Sequence, residues 1–124
     1  MKLAASFQAL PVDQVTPLLD GGVLKIYSVA RPVSPDAPIT QSGLLVTFRF
    51  GSPAVDASGP TGVVFVENTV SPSGVGTPGF ARAYSADGTT PIADFSVGPG
   101  DTDITLSEVS TTPGYPISVV RFKL

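Results

Sequence analysis

The chain reads as short apolar runs with a period of two, cut apart by clusters of Gly, Pro, Ser and Asp. The clearest run is Leu44–Phe50, where Leu44, Val46, Phe48 and Phe50 alternate with Leu45, Thr47 and Arg49. Successive side chains of a strand point to opposite faces, so this pattern predicts one buried face and one mixed face. Val23–Val29 reads the same way, with Leu24 and Ile26 on one side and Lys25 and Tyr27 on the other. Val63–Val66 is a short continuous apolar run and predicts a buried strand reaching toward Thr69. Phe80–Tyr84 puts Phe80, Arg82 and Tyr84 on one face and the small Ala81 and Ala83 on the other, the spacing expected where a second layer approaches closely. Ile92–Val97 turns Ala93, Phe95 and Val97 inward and Asp94 and Ser96 outward. Ile104–Val109 and Ile117–Leu124 follow. Asp87-Gly88 predicts a tight hairpin, since Gly tolerates the positive φ such turns demand.

Between these runs the chain is turn material. Arg31–Ser42 holds Pro32, Pro35 and Pro38 and reads as a long surface loop, because proline cannot donate to a sheet ladder. Gly51–Gly62 reads as turn, and Ser71–Gly79 as a flexible loop with no core of its own, in which the spacing of Gly74, Gly76 and Gly79 is a chance feature. Only the first residues hint at helix. Val12, Val15, Leu18 and Leu19 fall on one helical face, but Pro17 interrupts it. The expected fold is therefore all-β, a single antiparallel β-sandwich of about seven strands, jelly-roll-like or immunoglobulin-like. Residues 1–22 are expected to form an N-terminal arm or short helix, and residues 23–124 the sandwich. At 124 residues, one domain can bury a core without disulfides or metals.

Composition narrows the chemistry. There is no His, Cys or Trp, and only 14% of residues are charged. Triads of the Ser-His-Asp or Cys-His type are excluded, as is a zinc site with nitrogen or sulfur ligands. No Gly-rich loop leads into Lys-Ser or Lys-Thr, so no phosphate cradle is predicted. Asp101 and Asp103, flanking Thr102 before a strand, are a weak candidate pair for a metal such as Ca²⁺. The commoner role of Asp in such a turn is hydrogen bonding to its own backbone. A polysaccharide cleft wants aromatic platforms, and three Tyr with no Trp supply few. The expectation is a protein that is not an enzyme and needs no cofactor. A net charge of −3 with seven scattered basic residues argues against nucleic-acid binding, which needs dense Lys and Arg against phosphates. No apolar run approaches the ~20 residues of a membrane helix. The N-terminus is a poor signal peptide, since Gln8, Pro11 and Asp13 break its apolar stretch, so a soluble cytoplasmic product is expected.

What remains is surface. The candidate subunit contacts are Phe7 in the arm, Arg31, Pro32 and Pro35 in the Pro-rich loop, and Val75 in the Gly-rich loop. Tyr27, Arg82 and Tyr84 join them as an aromatic and cationic patch, with Tyr115 a further aromatic. For Arg82 the alternative is a side-chain stem lying over aromatic rings at the sheet surface.

Three segments resemble a known group. These are Leu18-Leu19-Asp20-Gly21-Gly22-Val23-Leu24-Lys25-Ile26-Tyr27-Ser28, then Ser42-Gly43-Leu44-Leu45-Val46-Thr47-Phe48, then Phe80-Ala81-Arg82-Ala83-Tyr84-Ser85-Ala86-Asp87-Gly88-Thr89-Thr90, with Ser96-Val97-Gly98 further on. In this order they resemble a group of small tailed-bacteriophage virion structural proteins, over about residues 18–124. The resemblance implies a non-enzymatic virion component assembled in a bacterial cytoplasm, with other capsid or tail subunits and copies of itself as partners. An accessory head subunit (decoration or cement) is the first expectation. A tail or baseplate structural or carbohydrate-binding module is the alternative. The chain departs from the group at its N-terminus, where Pro11 and Pro17 interrupt the regular helix of the relatives.

Overall fold

The computed structural model describes residues 1–39, 43–56 and 62–124. The end of the Arg31–Ser42 loop and part of the Gly51–Gly62 segment lie outside the described residues. The strands are β1 (Lys2–Leu3), β2 (Val23–Tyr27), β3 (Leu44–Val55), β4 (Val63–Phe65), β5 (Thr69–Val70), β6 (Phe80–Tyr84), β7 (Pro91–Ser96), β8 (Ile104–Leu106) and β9 (Ile117–Phe122). One four-residue helix, α1 (Val12–Val15), runs into a 3-10 turn at Thr16–Leu19, with Pro17 tolerated at its start. No helix among the described residues is long and apolar enough to cross a membrane.

The strands form two sheets in a sandwich-like, all-β arrangement. A curled six-stranded sheet runs β1-β7-β6-β2-β3-β4, and a three-stranded sheet runs β5-β9-β8. Every named ladder is antiparallel. The sheets are stitched by a parallel bridge from Val97 to Ile104. The core lies between them. Leu24, Ile26, Phe48, Phe50, Ala81, Ala83 and Phe95 from the large sheet meet Ile104, Leu106, Ile117 and Phe122 from the small one. The Phe122 ring stands edge-on to Phe95 at 4.9 Å between centroids. Ala81 and Ala83 face this core, as their small size predicts.

Three features matter for function. The N-terminal segment, expected as an arm or short helix, holds the short helix α1 and also a strand: β1 pairs with β7, Lys2 opposite Asp94 and Leu3 opposite Ala93. Val15 and Leu19 are buried in the core, and Leu3, Phe7 and Leu10 pack against it. β3 does not stop at Phe50. It continues through a cis Ser52-Pro53 bond to Val55 and pairs with β4, so the first part of the Gly51–Gly62 segment is strand. Finally, both long loops are tied down: Ser34, Asp36 and Ala37 bond to Arg82 and the N-terminal segment, and the Ser71–Gly79 loop bonds to Leu45, Tyr27 and Thr111.

Candidate contact surface

The outer face of the large sheet carries a second, smaller cluster. The β2–β6 register sets Tyr27 opposite Phe80 and Lys25 opposite Arg82, and β6–β7 sets Arg82 opposite Asp94. The Tyr27 and Phe80 rings stack at 5.2 Å. Arg82 is only 3% exposed and Asp94 is fully buried. The guanidinium grips the Asp94 carboxylate bidentately, with Nε to Oδ1 at 2.7 Å and Nη2 to Oδ2 at 3.1 Å. Burial works against the charge of Arg82, but the paired carboxylate outweighs it and holds the group above the usual arginine range.

The remaining Arg82 protons reach into the Pro-rich loop. Nη1 donates to the Ala37 carbonyl at 2.7 Å and Nη2 to the Ser34 carbonyl at 3.2 Å. The N-terminal segment holds the same loop from its other side. Lys2 Nζ donates to the Val33 carbonyl, and the Ala5 amide donates to Asp36 Oδ2 at 2.8 Å. Pro35 is buried, Pro32 half-buried and Arg31 exposed. The loop is thus a strap tied by polar contacts across the sheet.

This changes the standing of several expected contact residues. Arg82, offered as an outward contact, is a buried internal clamp, and Pro35 is packed inside the strap. Tyr27 is 8% exposed. Its hydroxyl lies 3.4 Å from that of Tyr84. Burial first, then the Tyr84 hydrogen bond, pushes it above the usual tyrosine range, so it stays protonated. Tyr84 is half-buried with Lys25 Nζ 5.2 Å above its ring, and Phe7 is half-buried against the core. Alternation could not reveal this. A polar side chain on a strand reads as solvent-facing whether water or a folded-back loop covers it.

The Ser71–Gly79 loop is likewise fixed. Ser73 and Gly74 amides donate to the Leu45 carbonyl at 2.8 and 3.2 Å, and the Gly79 amide donates to the Tyr27 carbonyl at 2.7 Å. Two of the loop's glycines are required by close backbone approach. A Cβ at Gly79 would lie 2.3 Å from the Val29 carbonyl oxygen, and one at Gly74 would lie 2.5 Å from that of Leu44. Gly76 forms an antiparallel bridge with Thr111, whose buried hydroxyl donates to the Gly74 carbonyl at 2.9 Å.

The Gly76–Thr111 bridge ties the 71–79 loop to the 106–117 segment, and the 97–99 turn lines a depression with both, making one braced end of the molecule. It presents Val75 at 74%, Val109 at 64% and Tyr115 at 73% exposure. Two depressions mark it. One is a mainly apolar notch of about 100 Å³ among Pro78, Val97, Pro99, Leu106 and Val109. The other is a shallower groove of about 390 Å³ with Ser110, Thr112, Tyr115 and Pro116 at its walls. Glu108 lines both. Of the expected contacts, Val75 belongs here, with the further aromatic Tyr115, apart from Tyr27 and Tyr84. Val109 was read as strand, but β8 ends at Leu106, leaving it exposed.

The acidic pair is dispersed. Asp103 accepts the Met1 ammonium at 3.0 Å and the Ser96 amide at 3.1 Å, while Asp101 pairs with Lys123 at 2.9 Å. Burial opposes the charge of Asp103, but those partners hold it below the usual carboxylate range. Lys123 lowers Asp101. Each carboxylate engages a cation of its own chain, and among the described residues no three acidic groups converge. Compared with protein-family models, curated proteins and solved structures, the chain matches none.

Proposed function

We propose that this chain is a non-enzymatic structural component of a tailed-phage virion, an accessory head subunit that decorates or cements the particle. The observation that carries the reading is the braced end. Exposed Val75, Val109 and Tyr115 sit on loops anchored to the sheet by backbone hydrogen bonds, a rigid apolar surface of the kind that marks interaction sites. Arg82 and Asp94 are taken up in a buried pair beneath the strap, and only 14% of the residues are charged at all. Contacts of modest strength suffice in such a role, because a particle multiplies them by valency. The absence of His and Cys from the sequence agrees with a role without catalysis. The resemblance of residues 18–124 to phage structural proteins supplies the kind of particle.

The test is purification of the phage that encodes the chain, followed by protein identification and reconstruction of the particle. Density for this fold on the head at a fixed copy number is expected. A particle lacking the chain altogether overturns the reading. Density at the tail tip favours the tail or baseplate alternative, for which Tyr115 beside Glu108, Ser110 and Thr112 is the supporting feature, since an exposed ring flanked by polar groups suits a sugar. A glycan array separates that alternative: binding lost in Tyr115→Ala supports it.

A further inference from the structure

We propose that the strap of one copy docks into the notch of a second copy. Val33 seats in the depression among Pro78, Val97, Leu106 and Val109, and Arg31 pairs with Glu108. The inference deepens the reading of the chain as an assembly subunit and rests on it for its biological setting.

Val33 is 82% exposed, the highest value among the large apolar side chains described. An aliphatic side chain so displayed is ordinarily left on a mobile loop or pruned to a polar one. Here it is held out on a fixed support. Pro32 precedes it, Lys2 donates to the Val33 carbonyl, Arg82 pins Ser34 and Ala37, and the Ala5 amide pins Asp36. A rigid knob loses little freedom on docking, which is what makes pre-organised contacts effective. The notch is the complementary shape. At about 100 Å³ with mainly apolar walls, it suits a branched aliphatic side chain and little more.

Charge fixes the pairing. Among the described residues, Arg31 and Glu108 stand in no ion pair. Arg31 lies two residues before the knob, and Glu108 lines the notch. Two residues of extended chain span about 7 Å, within reach of a long arginine side chain. A partner for this notch must bring an aliphatic knob with a cation beside it, and a second copy brings both by construction. Since knob and notch are different surfaces, the contact either closes as a reciprocal pair or repeats from copy to copy.

The test is analytical ultracentrifugation of the full chain from about 10 μM to 1 mM. The variants are Arg31→Glu, Glu108→Arg, the double swap, and Val33→Asp. All three sites are exposed, and melting curves confirm that each variant folds. The wild type is expected to show mass rising with concentration. Each single charge reversal should weaken association about tenfold, the double swap should restore most of it, and Val33→Asp should abolish it. A wild type monomeric throughout, or a double swap as weak as the singles, overturns the contact. A monomeric chain that is nonetheless found on particles sinks this inference and leaves the subunit reading standing. Self-association with the expected rescue, from a chain absent from particles, does the reverse.

Discussion

Asp94→Leu tests the buried clamp. Asp94 is fully buried and receives two hydrogen bonds from a guanidinium that is itself 3% exposed. Removing the carboxylate leaves Arg82 charged beneath the strap with no anionic partner, held by the Ala37 and Ser34 carbonyls and lying over the Phe80 ring. An uncompensated buried charge of this kind costs about 3–5 kcal/mol. For a domain of this size that lowers the melting temperature by roughly 10–20 °C. Arg82→Met is expected to cost a similar amount, by stranding the buried Asp94. The double variant, Arg82→Met with Asp94→Leu, removes both charges and keeps the volume. It should lie within about 2 kcal/mol of wild type, since a buried pair is roughly exchangeable for well-packed apolar residues. The residual loss belongs to the strap, which surrenders two hydrogen bonds. Urea denaturation of the four proteins closes the cycle. Limited proteolysis within 31–39 reads the strap separately: the double variant should be cut faster than wild type while its sheet stays folded. Were Asp94→Leu to cost less than about 1 kcal/mol, or the two single losses simply to add, the pair would not be the buried clamp described.

Two further outcomes are expected. Gly79→Ala drives a methyl group into the Val29 carbonyl oxygen, a backbone atom with little room to yield, and should destabilise the domain by about 2 kcal/mol or more; Gly100→Ala, where a Cβ meets open space, is the control, and equal melting temperatures would contradict the geometry. In acid, Asp87, Asp101 and Asp103 all have folded-state values below those of the unfolded chain: Asp87 through Thr90, Thr89 and Ser85, Asp101 through Lys123, Asp103 through the ammonium and Ser96. Their contribution is complete above the unfolded carboxylate value near pH 4 and is lost as pH falls through the lowered values. Melting temperature should therefore hold from pH 7 to about 5 and drop between about 4 and 2, with a shallower drop in Asp103→Asn.

The strands that bury one face against the core were legible because alternation reports that face. Phe80–Tyr84 is recovered with its bounds intact, and Leu24, Ile26, Phe48 and Phe50 point where the period places them. β1 was not legible, since two residues carry no period and its pairing with β7 is decided by tertiary packing. The run through Pro53 was missed because proline argues against a sheet interior, yet this stretch sits where β3 pairs only loosely, with a register shift between Phe50 and Val55. The candidate surface was the least legible. Val75, Val109 and Tyr115 are scattered in sequence, and their loops are tied together by the Gly76–Thr111 bridge; a backbone bridge between two Gly- and Thr-bearing loops leaves no hydrophobic signal.

The placement of β1 has a consequence for how the chain is made. Lys2 finds its partner at Asp94, and the Met1 ammonium meets Asp103 across 102 residues of sequence. During synthesis the β1 segment must wait, unpaired, until β7, which receives it, has been translated. Pairings so distant in sequence are slow to form and leave strand edges open meanwhile. A ribosome stalled before β7 would hold a nascent polypeptide with its Leu3, Phe7 and Leu10 side chains uncovered, and chaperone capture should concentrate in that window.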